Sequence, residues 1–396
     1  MWDKLINEDK MGENAEESHI SSHSNGNSNG GNEVDTITTS PASSPPGTDV
    51  QFYIHPQNTI SETLIPILYK NLPYSNPIYS RMLAPHNIPS RHCLFAATFP
   101  PNDPVPALYT IVFSDRSRKN ESQIWIFNPL ITPSYPQPLS QEHSSSLTTH
   151  LQVLLTFLKN TIIPQAPGHP FDPILKFACL HETITDSLTT LLASQSASQP
   201  SSVPTSTPLI AHHTTWNLYL IPTTPSTHLL SYPPPHPFTI SRVPPQHIPL
   251  VISTSAIPRE ASTLLAQPSL CLLTPSSPSS PSSSSSPPSQ TSSTSSPPSP
   301  QQITTWSYIG IDGTLSTLYV LPTHRNLGLA TYIARELVGR LGRGEFKDLG
   351  FNGESGWVHA DVKEGNVGSE GVMRALGGKK AWVSSYLWVD CGGLHG

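Results

Sequence analysis

The sequence predicts an α+β fold with a mixed sheet, laid out as two halves of unequal regularity. Three observations predict it. Residues 315–341 read as a buried strand, a tight polar turn and a long amphipathic helix. From residue 50 onward, short apolar runs alternate with helical periods. Two Ser/Pro-rich stretches, 194–208 and 275–302, interrupt that pattern without sharing it.

The 315–341 stretch is the most regular. Leu315, Leu318, Tyr319 and Val320, with β-branched Thr317 among them, suit a buried strand. Pro322 cannot donate to a ladder and should end it. Beyond the turn, Leu329, Ile333, Leu337 and Leu341 recur every fourth residue, and Ala330, Ala334 and Val338 widen them into one apolar face.

Composition bounds the rest. A chain of 396 residues has room for about two domains at roughly 100–200 residues each. Charged residues are only 12% and Pro numbers 44, so much of the length cannot belong to a packed core. The net charge of −6 is local: residues 1–49 hold nine acids against Lys4 and Lys10. The body is nearly neutral and has no clustered basic run, which argues against a nucleic-acid partner. Cys93, Cys179, Cys271 and Cys391 show no C-x-x-C spacing, so neither a disulfide framework nor a metal is expected, and the thiols fit a reducing compartment. The start lacks an apolar leader and no run of about 18 apolar residues occurs. We therefore expect a soluble intracellular protein, cytoplasmic with the nucleus still open, without a membrane partner.

In chain order, residues 1–49 are polar and acidic and should be a disordered tail. Residues 50–193 should form an N-terminal α+β domain. It holds a helix over 60–72 disturbed by Pro66 and strands at 93–99, 108–113 and 123–127. A helix at 146–163, a strand at 174–180 and a helix at 182–192 complete it. Residues 194–208 should be a linker, and 209–396 a C-terminal domain opening with a strand at 216–221. Residues 222–249 are Pro-rich and irregular, 247–265 carry short helices, and strands follow at 270–273 and 304–309. The charge-free run 275–302 between those strands reads as a protruding insertion in a β-hairpin, tolerable because closure entropy grows only with the logarithm of loop length. Its P-x-x-P spacing suits an SH3- or WW-type partner, although composition favours a passive loop. Asp312-Gly313 marks a second hairpin. After the long helix come a strand at 357–362, a short helix begun by Asn366 and ended by Gly377, and a last strand at 381–389.

The turn before the long helix carries the functional signal. It reads Arg325-Asn326-Leu327-Gly328-Leu329-Ala330, and Thr331 follows. A helix's first turn leaves amides unpaired under a partial positive charge, and small residues at 328 and 330 let a diphosphate reach the backbone. Arg325 adds a cation. This R-x-x-G-x-A pattern between strand and helix resembles the acyl-CoA pyrophosphate loop of the GNAT superfamily of N-acetyltransferases, and the order of elements matches that superfamily's core. Downstream, Asn366, Ser369, Val372 and Gly377 fall in register with its Asn, small, apolar and Gly positions. The resemblance is closest to the glycine N-acyltransferase-like (FR47-like) branch over residues 251–388 and looser in the N-terminal half.

That resemblance implies acyl-CoA as co-substrate, a small amine or amino acid as acceptor, and direct attack in a ternary complex. It implies cofactor contacts from Leu318, Tyr319, Val320, Arg325, Asn326, Leu327, Gly328, Leu329, Ala330 and Thr331, with Asn366 and Ser369 beside the pantetheine arm. A backbone amide near Tyr319 or Val320 would serve as the oxyanion donor. Three departures put the acid and base in doubt. Met373 stands where relatives place a thiolate-protonating Tyr, Gly378 follows Gly377 where Gly-Phe is usual, and Thr314 holds the place of a catalytic Glu. The replacements offered by position are His359 and Asp361, on one face of their strand by alternation, with Asp312 and Tyr386. Against these stands a second reading, a catalytically silent CoA-binding or Pro/Ser-rich interaction protein.

The remaining patterns are weak. Seventeen His residues form no H-E-x-x-H, no G-x-S-x-G elbow occurs, and the P-loop signature is absent.

Overall fold

The computed structural model describes residues 50–87, 93–116, 121–165, 173–197, 209–224, 233–255, 257–274 and 301–392. The acidic tail, most of the expected linker and nearly all of the Ser/Pro insertion lie outside them.

The first half supplies β1 (Tyr53–Ile54), β2 (Cys93–Ala97), β3 (Ile111–Asp115), β4 (Gln123–Phe127) and β5 (Ile174–His181). The second supplies β6 (Ile210–Pro222), β7 (Thr239–Ser241), β8 (Ser269–Thr274), β9 (Gln302–Ile309), β10 (Leu315–Val320), β11 (Trp357–Val362) and β12 (Lys379–Asp390). They make an eight-stranded sheet in the order β1-β2-β3-β4-β5-β12-β6-β11 and a four-stranded sheet in the order β10-β9-β8-β7. The large sheet joins the two halves at one place. Strand β12, from the end of the chain, pairs on one side with β5 of the first half and on the other with β6, which itself lies between β12 and β11 of the second. The halves expected on either side of residues 194–208 therefore build one continuous sheet. Strand β6 is also longer than its apolar run predicts. Its polar start, Ile210 to Thr215, is recruited as a strand by pairing with β12.

Local chemistry explains the flanking helices. The helix expected over 60–72 is two short ones, Ile60–Thr63 and Ile65–Lys70, because Pro66 is tolerated only in a first turn. Helix α1 (Asn76–Leu83) was not legible, since it buries Asn76 and Arg81 together with its apolar residues. Arg81 is fully buried, pairs with Asp115 and lies 4.7 and 5.2 Å from the ring centroids of Phe113 and Trp125. Helices α2 (Gln141–Phe157) and α3 (Glu182–Ala197) cover the first half. A wider turn, Leu158–Ile162, continues α2, so the 3.6-residue pattern extends past the α-helical part.

In the second half, α4 (Leu329–Gly342) buries the predicted stripe: Leu329, Ile333, Ala334, Leu337, Val338 and Leu341 all join one cluster. Each buried aliphatic contributes about 2 kcal/mol, which holds α4 against β8, β9 and β10. Strands β8 and β9 pair with Thr274 opposite Gln302, so the Ser/Pro run does interrupt a β-hairpin. Gln302, assigned from sequence to the insertion, is instead the first residue of β9. Helix α5 (Val367–Ala375) follows β11, and among the described residues no helix is long and apolar enough to cross a membrane.

Candidate active site

The two sheets part between β10 and β11. These strands meet only at the start of β10, where Thr314 bridges His359 and the His359 amide donates to the Gly313 carbonyl at 3.2 Å. Beyond that apex, β10 pairs only with β9, and its other edge stays open. The β9–β10 register slips between Ser316 and Tyr319, with Thr317 at φ 53°, which leaves Thr317 and Leu318 out of the ladder. The Leu321 amide donates to Thr304 on β9. By alternation the Val320 amide faces the open edge and the Tyr319 amide faces β9. Of the two oxyanion donors proposed from sequence, the geometry favours Val320. The Tyr319 ring stacks on Trp306 at 5.0 Å, while Leu318 packs on the α4 side.

The polar turn sits at the mouth of this opening. Asn326 and Gly328 both adopt left-handed backbone, at φ 64° and 73°, so the chain turns sharply on either side of Leu327. Gly328 is the N-cap of α4, no side chain caps that helix, and a Cβ built on Gly328 would meet nothing within 4 Å. Leu327 is 60% exposed. The Arg325 guanidinium lies 5.8 Å from the Tyr319 ring, and its Nε donates to the Val320 carbonyl at 3.3 Å. The first turn of α4, Leu329 to Thr331, thus presents amides to an open, shallow cradle with a cation beside it, which suits a diphosphate.

The first half has the same construction without the cradle. Strands β4 and β5 are parallel and joined through one pair, Ile124 with Phe177. There the loop after β4 is closed by its own side chains: Asn128 accepts from the Leu130 amide and Ser140 accepts from the His143 amide at the start of α2. At this place in the fold only the second half leaves the first turn of its helix without a side-chain cap.

The catalytic candidates converge behind the apex. His359 and Asp361 share one face of β11, and Val358, Ala360 and Val362 on the other enter the core. The Tyr386 hydroxyl donates to Asp361 Oδ2 at 2.7 Å and Ser384 donates to Oδ1 at 2.8 Å. His359 is fully buried, with Nε2 2.9 Å from the Thr314 hydroxyl and Nδ1 3.3 Å from the Asn76 amide. Thr314 in turn donates to Asp312 at 2.5 Å. Burial pushes the Asp361 carboxyl above its usual range, opposed by His359 and by the bonds from Tyr386 and Ser384. Burial, followed by the Asp361 charge, drives the Tyr386 phenol well up.

Four members of this cluster were missed from sequence. Cys179 of β5 points into it from φ 52°, with Sγ 3.2 Å from the Tyr386 hydroxyl and 3.7 Å from His359 Nε2. Asn76 of α1 holds the imidazole, Thr314 links it to Asp312, and Lys176 of β5 lies 5.3 Å from the Tyr386 ring and 4.9 Å from the Trp388 ring. Burial lowers the Lys176 amine to about 8. None belongs to a motif, because contributors such as Asn76, Cys179 and His359 lie more than a hundred residues apart.

The downstream positions divide. The Asn366 side chain accepts from the Ser369 amide at 3.1 Å and so caps α5, while its exposed position leaves it outside the cluster. Met373 is a core residue, 3% exposed, so no proton donor stands at that place.

Comparison with known proteins bears on these features. Residues 49–230 match the family model of the N-terminal domain of the acyl-CoA N-acyltransferase verG. That is the half where the sequence resemblance was looser, and the match runs past β6. Among curated proteins none matches the chain. The crystal structure of a Drosophila protein superposes with a TM-score of 0.51 at 13% identity, covering 86% of this chain and 99% of the other, and shows that the fold is shared. A tandem GNAT protein from the clavulanic acid biosynthesis pathway has a TM-score of 0.40 at 8% identity, covering 85% and 97%. A GNAT acetyltransferase from Sphaerobacter thermophilus has 0.39 at 11%, covering 85% and 94%. The family match over residues 49–230, together with the fold shared with the Drosophila protein, supports a member of the GNAT superfamily of acyl-CoA N-acyltransferases.

Proposed function

We propose that the protein transfers an acyl group, acetyl or longer, from acyl-CoA to a small amine or amino acid, in the manner of the glycine N-acyltransferase-like (FR47-like) branch. The observation that carries this reading is the uncapped first turn of α4 beside the unpaired edge of β10, found in the second half and closed in the first. In this reading the amides of Leu329, Ala330 and Thr331 and the Arg325 guanidinium hold the diphosphate. The edge of β10 orients the pantetheine arm, and the Val320 amide stabilises the oxyanion. Ser369 borders the arm, and Asn366 shapes the cleft by capping α5 rather than by touching the cofactor.

Acyl-CoA supplies the activated thioester, and this chain's residues align the amine and manage its proton. An amine of pKa near ~8 is largely protonated at neutral pH and must shed a proton to attack. Asp361, whose burial raises its affinity for protons, accepts it better than an ordinary carboxylate would. Tyr386, bonded to Asp361, can pass a proton to the departing thiolate. His359, which is fully buried, and Asp312 tune that pair through Thr314 and Cys179.

Titration calorimetry with acetyl-CoA and a longer acyl-CoA tests the cofactor half of this reading. Free-thiol release across a panel of amino acids and polyamines tests the chemistry. Binding without thiol release would favour the silent CoA binder, a reading supported by Met373 in the core and Thr314 in place of a carboxylate.

A further inference from the structure

The cluster behind the apex contains more ligating atoms than proton transfer requires. Cys179 Sγ, a carboxylate oxygen of Asp312 and a ring nitrogen of His359 all lie within 4.8 Å of one another. They come from β5, the turn between β9 and β10, and β11 respectively. We infer that Cys179, His359 and Asp312 form a binding site for one Zn2+ ion, with Asp361 and Tyr386 bordering its open position. This goes beyond the acyl-transfer reading and does not depend on it.

Spacing supports the inference. A tetrahedral zinc with bonds of about 2.3 Å to sulfur and 2.0–2.1 Å to nitrogen places those two ligands about 3.5 Å apart. Here Cys179 Sγ and His359 Nε2 are 3.7 Å apart. Thr314 keeps Asp312 and His359 Nε2 side by side, and on loading the imidazole gives up its bond to the Thr314 hydroxyl, which keeps its own to Asp312, so that the Nε2 lone pair is free for the ion. A turn of the Asp312 carboxylate, on a half-buried loop residue, shortens the remaining gap. On the far side of the imidazole, Asn76 meets Nδ1 at 3.3 Å, and its other amide end meets the Ser80 hydroxyl at 3.3 Å. A hydroxyl serves either end of an amide, so the Asn76 oxygen can take the Nδ1 proton, the outer hydrogen bond that a metal-bound histidine makes.

Charge supports it too. Among the described residues, neither Asp312 nor Asp361 has an ion-pair partner, and Asp361 lies 3.8 Å from the Cys179 sulfur. The nearby cation Lys176 is itself driven toward its neutral form by burial. A thiol beside two carboxylates is poorly placed as a nucleophile, which needs an electropositive surrounding. The same thiol and carboxylates suit a divalent cation, which deprotonates a coordinated thiol outright. The donor set of sulfur, imidazole nitrogen and carboxylate oxygen selects zinc over calcium or magnesium. Asp361 and Tyr386 are only half-buried and give the ion a path from the splay.

The test uses the full-length chain, stripped with chelator and loaded with ZnCl2 or CoCl2. We expect one equivalent of zinc to survive gel filtration, and the cobalt form to show a thiolate-to-cobalt charge-transfer band. Cys179→Ser and His359→Gln should each lose the retained zinc, Asp312→Asn should weaken it by at least about tenfold, and Cys93→Ser should change nothing. Failure of the stripped protein to retain zinc would overturn the inference. So would retention unchanged in both Cys179→Ser and His359→Gln, since the ion would then sit elsewhere. Should those variants fail to fold, the cobalt spectrum of the unaltered chain decides, and a spectrum without the thiolate band overturns the proposal.

Discussion

Replacing Gly328 by Glu probes the anion cradle, and Gly328→Gln separates charge from shape. Gly328 sits at φ 73° with open space where a Cβ would go. Either side chain therefore costs about 1 kcal/mol of left-handed strain and meets no clash. Both variants should fold, with unfolding midpoints lowered alike by about 2–4 °C. The carboxylate adds something the amide does not. Held about 5 Å from a phosphate, it repels each charge by about 1–3 kcal/mol, depending on how much water screens the pair. That is roughly a five- to 150-fold loss in Kd per phosphate charge. Calorimetry with acetyl-CoA should rank the affinities as Gly above Gln above Glu. The gap between Gln and Glu should narrow as salt shortens the screening length to about 8 Å. Equal affinities in the Gln and Glu forms, both near that of the unaltered chain, would refute a diphosphate at this turn.

Other outcomes follow from the same structure. Replacing residues 276–300 by a short turn should leave CoA binding and thermal stability unchanged, because Thr274 and Gln302 are already paired; calorimetry and a melt check it. Asp115→Ala should destabilise the chain by about 3–5 kcal/mol in urea unfolding, since it strands the buried Arg81 charge. Lys176→Met should stabilise the protein at pH 7. The folded Lys176 amine has been lowered to about 8, so the unfolded chain alone binds its proton between pH 8 and 10.5 and stability falls as pH drops through that window. The penalty is at most about 3 kcal/mol, read as the difference between the two proteins' denaturation curves at pH 7 and pH 10.

What was legible in the sequence was what short-range chemistry decides. The limits of β10 and β11, the apolar stripe of α4 and the glycine turn before it follow from period, proline and conformational freedom within a few residues. The hairpin around the Ser/Pro run was legible because both arms are strongly apolar. Helix α1 was hidden by its buried Arg81 and Asn76, whose partners Asp115 and His359 are distant in sequence. The polar start of β6 was hidden because its neighbours, not its own residues, make it a strand. Asn366 shows the opposite difficulty. Its position in the family pattern pointed to the cofactor, whereas its local setting as a helix cap is what the structure displays.

The β5–β12 pairing explains why half of the site is local and half is not. The cradle at Gly328 needs only β10, α4 and the residues between them, all within one short stretch. The cluster around His359 needs β5 for Cys179, α1 for Asn76 and β12 for Tyr386. Strand β12 reaches that place only because it lies between β5 and β6. A chain cut at residue 208 would keep β11, β6 and β12 together but part β12 from β5, exposing one unpaired edge on each fragment. The fragments should therefore aggregate when expressed alone and recover solubility when coexpressed, with β12 restored beside β5. Soluble, monomeric and separately folded fragments would show that the β5–β12 pairing is not what joins the halves. The cluster would then have to be held together by side-chain contacts alone.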